Sequence, residues 1–474
     1  MPMHNALFIA LSSLSVFVIL FMAGTAISYL FLFLSSMRKV MREGKLEKRS
    51  ILDDLSLKDR TYPVSILVPA YNEEVGVIST VRSLLTLDYP EYEIVVIDDG
   101  SKDQTLAKLI SAFQMRQVDH ATRLTLPSKP IKGVYQSAAY PSVKVISKEN
   151  GGKADALNCG INASVYPYFC AIDGDSILEQ DALMKTMKPI IDSEEEVIAV
   201  GGSVRIANGI TISRSQVEKI ELPHKPIVIM QIIEYLRAFL IGRLGFSRFN
   251  QLLIVSGAFG LFNKGAVIHA GGYTEGLIGE DMELIVRLHR VNIENKLKKR
   301  IVFIPDPVCW TEAPETFSVL RKQRIRWQRG LAETLLAHKK MLFNPAYGAV
   351  GMVTFPYFLF VELLGSVVEL IGFLIIIIGI FFTILDPVIV GTIFAVSILY
   401  GSFISSLAVL LEELTLHKYP KVRHLLILFL WALTESLWYR PLLVLWRIEG
   451  LLNTFKKKAD WGNMERKGIS SNEG

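Results

Sequence analysis

Three short acidic motifs could do chemistry: Asp98 and Asp99 in IDDGS, Asp173 and Asp175 in AIDGDS, and Glu280 and Asp281 in LIGEDMELIVRLHR. Each alone is ordinary turn chemistry, since Asp-Gly pairs open turns without any ligand. Gathered in one place, their negative charge needs a counter-charge. A divalent cation with an anionic ligand supplies it: carboxylates spaced D-x-D, here Asp173 and Asp175, can share a hard Mg²⁺ or Mn²⁺ and leave coordination positions for diphosphate oxygens. A basic element accompanies them. In ENGGKADALNCG, Gly151 and Gly152 allow close backbone approach, Lys153 can reach a phosphate, and a helix comes next. This is not a Walker A loop, because GxxxxGK[ST] is absent; as structure alone it is a strand-to-helix turn with a solvated lysine.

The elements that must position these groups read as an α/β domain. PVSILVPAYN, EYEIVVIDDG, VKVISKENGG and YFCAIDGDS each predict a buried strand that ends in polar or glycine residues. VGVISTVRSLLTL and ADALNCGINAS carry apolar residues at helical spacing. Strands alternating with helices imply a mostly parallel sheet with flanking helices, whose ligands bind at the carboxyl ends of the strands. The acidic motifs fall at those ends. The stretch 114–142, punctuated by Pro127, Pro130, Gly133 and Pro141, predicts a long loop.

The 474 residues are 51% apolar, more than an ordinary soluble chain, so part of that excess should face lipid. The net charge of +5 is small and sits beside apolar segments, which argues for membrane topology and against nucleic acid. Cys159, Cys170 and Cys309 form no CxxC pair and predict buried free thiols. Residues 6–34 carry no charge and are long enough for one transmembrane helix; the basic residues after them place the adjoining domain in the cytoplasm. After residue 345 the chain turns apolar again. Glu362 and Glu369 should face protein or water, Asp386-Pro387 marks a turn, and the segment around 424–446 reads best as re-entrant, with Glu435 and Arg440 turned toward a channel. The chain thus divides into a membrane helix (1–36), a basic cytoplasmic linker (37–62), a catalytic domain (63–317), an interfacial region (318–344), channel helices (345–452) and a basic cytoplasmic tail (453–474).

RKQRIRWQRG, residues 321–330, lies just ahead of the apolar region. Contact with anionic lipid explains its cations but gives Trp327 and the glutamines no work. The ordered set PAYNEE, DDGS, GGKADALN, DGD, GED and QRIRW, flanked by apolar helices, resembles the membrane-embedded processive family 2 glycosyltransferases, the group of cellulose, chitin, hyaluronan and poly-N-acetylglucosamine synthases. The resemblance spans roughly residues 60–450. It implies a GT-A fold and inverting transfer from a UDP-sugar, with N-acetylglucosamine the first expectation and glucose the second. Pro69, Tyr71, Glu73, Asp98 and Asp99 would hold the uridine, Lys153 the diphosphate, and Asp173 and Asp175 the nucleotide and metal. Asp281 would be the general base, with Glu280 beside it raising its pKa through like charge. Ser256, Gly257 and Ala258 would line the acceptor site. Gln323, Arg326 and Trp327 match the family's Q-x-x-R-W and share one helix face, where Arg326 can bridge phosphate and the indole can stack on a sugar; Arg321, Arg324 and Arg329 are left for the lipid side.

The same resemblance implies a polysaccharide or glycolipid acceptor, surrounding membrane lipids, a small accessory membrane subunit, and a bacterial cell membrane with the catalytic domain inside. A non-processive transferase acting on a lipid carrier shares the front motifs but usually lacks Q-x-x-R-W. A catalytically silent nucleotide-binding sensor or transport subunit would have little use for Asp281, the DGD and Lys153 together.

Overall fold

The computed structural model describes residues 2–47, 60–119, 124–174, 176–213, 216–382, 386–415 and 421–454. Asp175 and the basic tail from 455 onward lie outside the described residues, as do residues 48–59 of the basic linker. The chain divides into two compact units.

The α/β unit takes its described residues from Val40–Leu222 and Phe246–Ala313. In chain order its strands are β1 (Val64–Ala70), β2 (Tyr92–Asp98), β3 (Met115–Val118), β4 (Ile131–Ser137), β5 (Val143–Lys148), β6 (Tyr168–Ile172), β7 (Ile177–Leu178), β8 (Glu196–Ile206), β9 (Ile210–Ser213), β10 (Gln216–Ile220), β11 (Phe259–Asn263) and β12 (Lys299–Thr311). All but β9 and β10 form one sheet in the order β3-β4-β5-β2-β1-β6-β11-β8-β12-β7. Its centre, β5-β2-β1-β6, is parallel. These strands are β-branched and buried along almost their whole length, as a sheet covered on both faces requires. Register aligns their ends: Ala70 pairs with Asp98, and Asp98 with Ser147, so the loops after β1, β2 and β5 leave one edge at one level.

One expectation is corrected. The stretch 114–142 is not a loop throughout, because it contains β3 and β4: β4 pairs antiparallel with β5 and β3 antiparallel with β4, extending the sheet. Its prolines lie outside both strands and mark where pairing stops.

The helical unit takes its described residues from Met1–Lys39, Pro223–Gly245 and Pro314–Gly462. Residues 223–245, expected inside a contiguous catalytic domain, pack here. The reason is composition: PIVIMQIIEYL is apolar on nearly every side, and almost all of its residues are buried. Among the described residues, three helices are long and apolar enough to cross a membrane: Phe8–Met41, Val350–Gly379 and Pro387–Leu414. The segments Val422–Thr434 and Tyr439–Thr454 meet at a 60° bend and make either a broken span or a re-entrant pair. The first helix runs through Glu47, because the Lys, Arg, Glu and Met after its apolar run are good helix formers. Two π-helical turns, Val350–Thr354 and Phe358–Leu363, flank Pro356, whose missing N–H breaks the ordinary ladder.

The charged residues in these helices find partners within the protein. Glu362 accepts from Tyr29 at 3.1 Å, Glu369 pairs with Arg440 at 2.6 Å, and Glu435 pairs with Arg237 at 2.7 Å.

Candidate active site

The loop after β1 is held by the loop after β2. Asn72 adopts φ 55°, its N–H donates to Ser101 Oγ, and Lys102 N–H donates back to its side chain. Glu73 N–H donates to Thr105 Oγ1 and Glu74 N–H to Asp103. Tyr71 stays exposed at the tip. Thr80 donates to Gly174 O at 2.7 Å, and a Cβ at Gly174 would sit 3.3 Å from Pro69 O, so the DGD turn passes β1 closely.

The two aspartates after β2 act inward. Asp98 accepts from Ser101 N–H and Ser147 Oγ, both at 3.1 Å. Asp99 is nearly saturated: it accepts from Gly151 N–H at 3.0 Å, Gly152 N–H at 2.7 Å, Asn150 Nδ2 at 3.1 Å and Lys148 Nζ at 2.6 Å. Lys148 is fully buried at the end of β5 and also pairs with Asp155, which accepts from Lys129 N–H. Asp99, Lys148 and Asp155 thus clamp the Gly-Gly turn, where Gly152 takes φ 87° just before the helix Lys153–Ala163. Sequence reading missed Lys148 and Asp155. The signal was a lysine closing an otherwise apolar strand and an aspartate in the first turn of the next helix.

That clamp aims Lys153 at the remaining motifs. Its ammonium donates to Asp173 at 2.6 Å and to Gly257 O at 3.3 Å, and lies 3.7 Å from Glu280. A Cβ at Gly257 would lie 3.2 Å from both Lys153 Nζ and Asp281 Oδ2. The structure therefore brings Lys153, Asp173, Gly257, Glu280 and Asp281 together at the carboxyl edge of the sheet. Ser256 and Ala258 flank Gly257 in the turn entering β11, with Ala258 N–H on Ser256 Oγ.

Charge inside the cluster is graded. Burial works against the Lys153 ammonium, but Asp173, Glu280 and Asp281 outweigh it and hold the group above the usual lysine range. Burial pushes the Glu280 carboxyl up to about 7, with Lys153 opposing and Asp281 adding to the shift. Like charge from Asp281 thus adds to the rise at Glu280, the buried member of the pair. Asp281 is half-exposed and opens the helix Glu280–Glu294 with one oxygen on Met282 N–H. That helix is anchored by Arg287, which pairs with Glu283 and donates to the carbonyls of Ala270 and Gly272.

Gln323, Arg326 and Trp327 belong to the helical unit, on the helix Phe317–Ala337. The residue organising them is Arg324, which corrects its assignment to the lipid side: it is 2% exposed. Its guanidinium donates to Glu234 at 2.6 Å and to Gln323 at 3.0 Å, and stacks 4.2 Å from the Trp327 ring centre. Trp327 is 43% exposed, so part of its ring is open. Arg326 is half-buried. Arg321, exposed and paired with Glu449, keeps the surface position expected of it.

Residues 65–269 match the model of glycosyl transferase family 2, and residues 168–409, just over half of the chain, match that of glycosyl transferase family group 2. The chain belongs to glycosyltransferase family 2. This transferase is 32% identical over 276 residues to a poly-β-1,6-N-acetyl-D-glucosamine synthase of Staphylococcus epidermidis, covering 58% of this chain and 55% of that one. A synthase of the same name from Staphylococcus aureus is 31% identical over 283 residues, with 59% and 57% covered. The transferase thus aligns with little more than half the length of these curated relatives. Among solved structures, a mannosyltransferase from Pyrobaculum calidifontis aligns over 88% of this chain and 99% of its own at 16% identity and a TM-score of 0.45. The mixed sheet with its flanking helices is the GT-A arrangement that the motifs implied.

Proposed function

We propose that the protein transfers a sugar, with inversion, from a UDP-sugar to the end of a growing β-linked polysaccharide and exports the chain through its own helices. N-acetylglucosamine is the donor sugar favoured by the name the Staphylococcus relatives carry, and glucose is second. The observation that carries the reading is the meeting of Lys153, Asp173 and Asp281 around Gly257.

In this reading Asp281 takes the proton of the acceptor hydroxyl as that oxygen attacks the anomeric carbon, while the bond to UDP breaks on the opposite face. Lys153 meets the diphosphate and offsets the charge that builds on it. The loops after β1 and β2, with Pro69, Tyr71, Glu73 and Asp98, receive the nucleoside, and Asp99 sets the Gly-Gly turn beneath it. Ser256, Gly257 and Ala258 face the acceptor. Gln323, Arg326 and Trp327 guide the terminal sugar, the indole as a stacking platform.

A divalent cation fits Asp173, whose side chain is about one-third exposed. An ion held there by one or two carboxylates would keep positions open for substrate phosphates. Mg²⁺ or Mn²⁺, bound there and at Asp175, would supply neutralisation of the diphosphate. The apolar helices support residence in a membrane; a bacterial cell membrane, a cytoplasmic α/β unit and a small accessory subunit complete the proposed reading.

The test supplies UDP-N-acetylglucosamine or UDP-glucose to the protein in nanodiscs and measures UDP release and product length, with and without exhaustive chelation. Long chains that stop on chelation and return with Mg²⁺ or Mn²⁺ support the reading. Single additions to extracted lipid would replace it with transfer to a lipid carrier.

A further inference from the structure

The helical unit contains a polar cavity of about 50 Å³, room for roughly three or four waters or a small oxyanion. Every candidate span reaches it: Tyr29 from the first, Glu369 from the second, Ile404 from the third, and Arg440 and Arg447 from the segment after the bend, with Glu435 at the bend itself. Arg237 enters from the π-helical stretch Arg237–Arg243, a distortion that often accompanies functional positions.

Its charges do not balance. Three arginines line the cavity against two glutamates. Arg440 is bidentate on Glu369, at 2.6 and 3.0 Å. Arg237 binds Glu435 and Ser405, but every one of those bonds runs through Nη1, leaving Nε and Nη2 without a partner among the described residues. Arg447 makes no hydrogen bond or ion pair with a described residue. The carboxylates that feel its charge, Glu234 and Glu369, are each already bonded to another arginine, Arg324 and Arg440. An uncompensated guanidinium among apolar helices is costly, and an anion with several oxygens removes that cost while matching the guanidinium fork.

We propose that this cavity is a phosphate-type oxyanion site, in which Arg447 and the open edge of Arg237 bind either the phosphodiester of a membrane lipid or free phosphate. The site is distinct from the sugar-nucleotide cluster and does not depend on the transfer reading.

The test uses the full chain, purified in detergent, with two probes. Phosphatidylglycerol is offered against phosphatidylcholine, and retained lipid is counted by native mass spectrometry. Inorganic phosphate is offered against chloride at equal ionic strength, and Tm is recorded. For a lipid source, wild type retains phosphatidylglycerol, Arg447→Gln retains about tenfold less, and Arg300→Gln, a surface control on the α/β unit, matches wild type. For a soluble source, phosphate raises Tm in wild type and not in Arg447→Gln, with no phosphatidylglycerol held. Equal behaviour of wild type and Arg447→Gln toward both probes overturns the site and leaves a water-filled ion-pair core. Should Arg447→Gln fail to fold, Arg447→Lys, which keeps the charge but loses the fork, takes its place: weaker binding than wild type sustains the proposal and equal binding ends it.

Discussion

At the residue scale, neighbouring carboxylates in one cluster take separate tasks in the proposed reading, with Asp281 as the base. Asp281 is half-exposed beside Gly257, where an acceptor hydroxyl can reach it, whereas Glu280 is buried against Lys153. Asp281→Asn keeps size and hydrogen bonding but removes the base, so sugar transfer should fall by about 10² or more while UDP affinity, read by calorimetry, stays near wild type. Transfer near the wild-type rate would remove Asp281 from the chemistry. Lys148 invites the opposite test. It touches no substrate in the proposed reading, yet it neutralises Asp99 and Asp155 behind the Gly-Gly turn. Lys148→Met leaves two buried carboxylates uncompensated, a loss of roughly 3–5 kcal/mol in stability. With the turn loosened, UDP should also bind more weakly by about tenfold. An unchanged Tm together with unchanged UDP binding would show that the clamp does nothing.

At the element scale, the features legible in the sequence were those decided locally. β1, β2, β5 and β6 were readable because β-branched runs end at polar or glycine residues, and that same punctuation put the acidic motifs on one edge. β3 and β4 were hidden because their prolines suggested absence of structure when they only bound short strands. The clamp was hidden for another reason: Lys148 and Asp99 are 49 residues apart, and only the parallel pairing of β2 with β5 makes them neighbours. Arg324 was misplaced likewise, because the face it occupies is decided by Glu234, 90 residues earlier. Arg324→Ala strips Glu234 of its buried partner and should cost about 3–5 kcal/mol, seen as a large drop in Tm. Arg321→Ala, at the surface of the same helix, should leave Tm nearly unchanged. Comparable losses in both variants would refute the buried assignment. The helix Glu280–Glu294 carries its own pH sensitivity. His289 is buried, donates to Leu252 O at 2.8 Å, and burial depresses its pKa to about 4. An unfolded histidine titrates near 6.5, so neutral His289 stabilises the fold fully above that value, and the gain is lost as pH falls from about 6.5 toward 4. The loss from this group should reach roughly 3 kcal/mol. Glu280 on the same helix, raised to about 7, acts in the opposite sense over the same window, so the readout is the difference in Tm between wild type and His289→Gln, which keeps a donor but cannot titrate. That difference should shift steadily against wild type from about pH 6.5 to 4, and a difference independent of pH would contradict the burial.

At the scale of the whole molecule, the open matter is how the chain threads the membrane after residue 421. Basic residues come directly after the first candidate span, and the rule that positive loops stay inside is what supports the proposal of a cytoplasmic α/β unit. On that proposal the candidate spans Val350–Gly379 and Pro387–Leu414 would lead out and back, with the basic sequence HKYPKVRH expected inside. A straight crossing by the last helix would carry KKKADWGNMERKG outside against its charge. The 60° bend between Val422–Thr434 and Tyr439–Thr454 offers the alternative of entering and leaving on one side, with Glu435 at the bend held by Arg237 and so kept from lipid. Cysteine accessibility decides between them. The native cysteines, Cys159, Cys170 and Cys309, are all buried and give a quiet background. Val422→Cys and Leu452→Cys replace side chains that are 71% and 57% exposed, on either side of the bend. Treated with a membrane-impermeant maleimide, both should label in inside-out vesicles and neither in intact cells. Labelling of Leu452→Cys from outside, with Val422→Cys still inside, would make the last helix a true crossing and put the basic tail on the far side of the membrane.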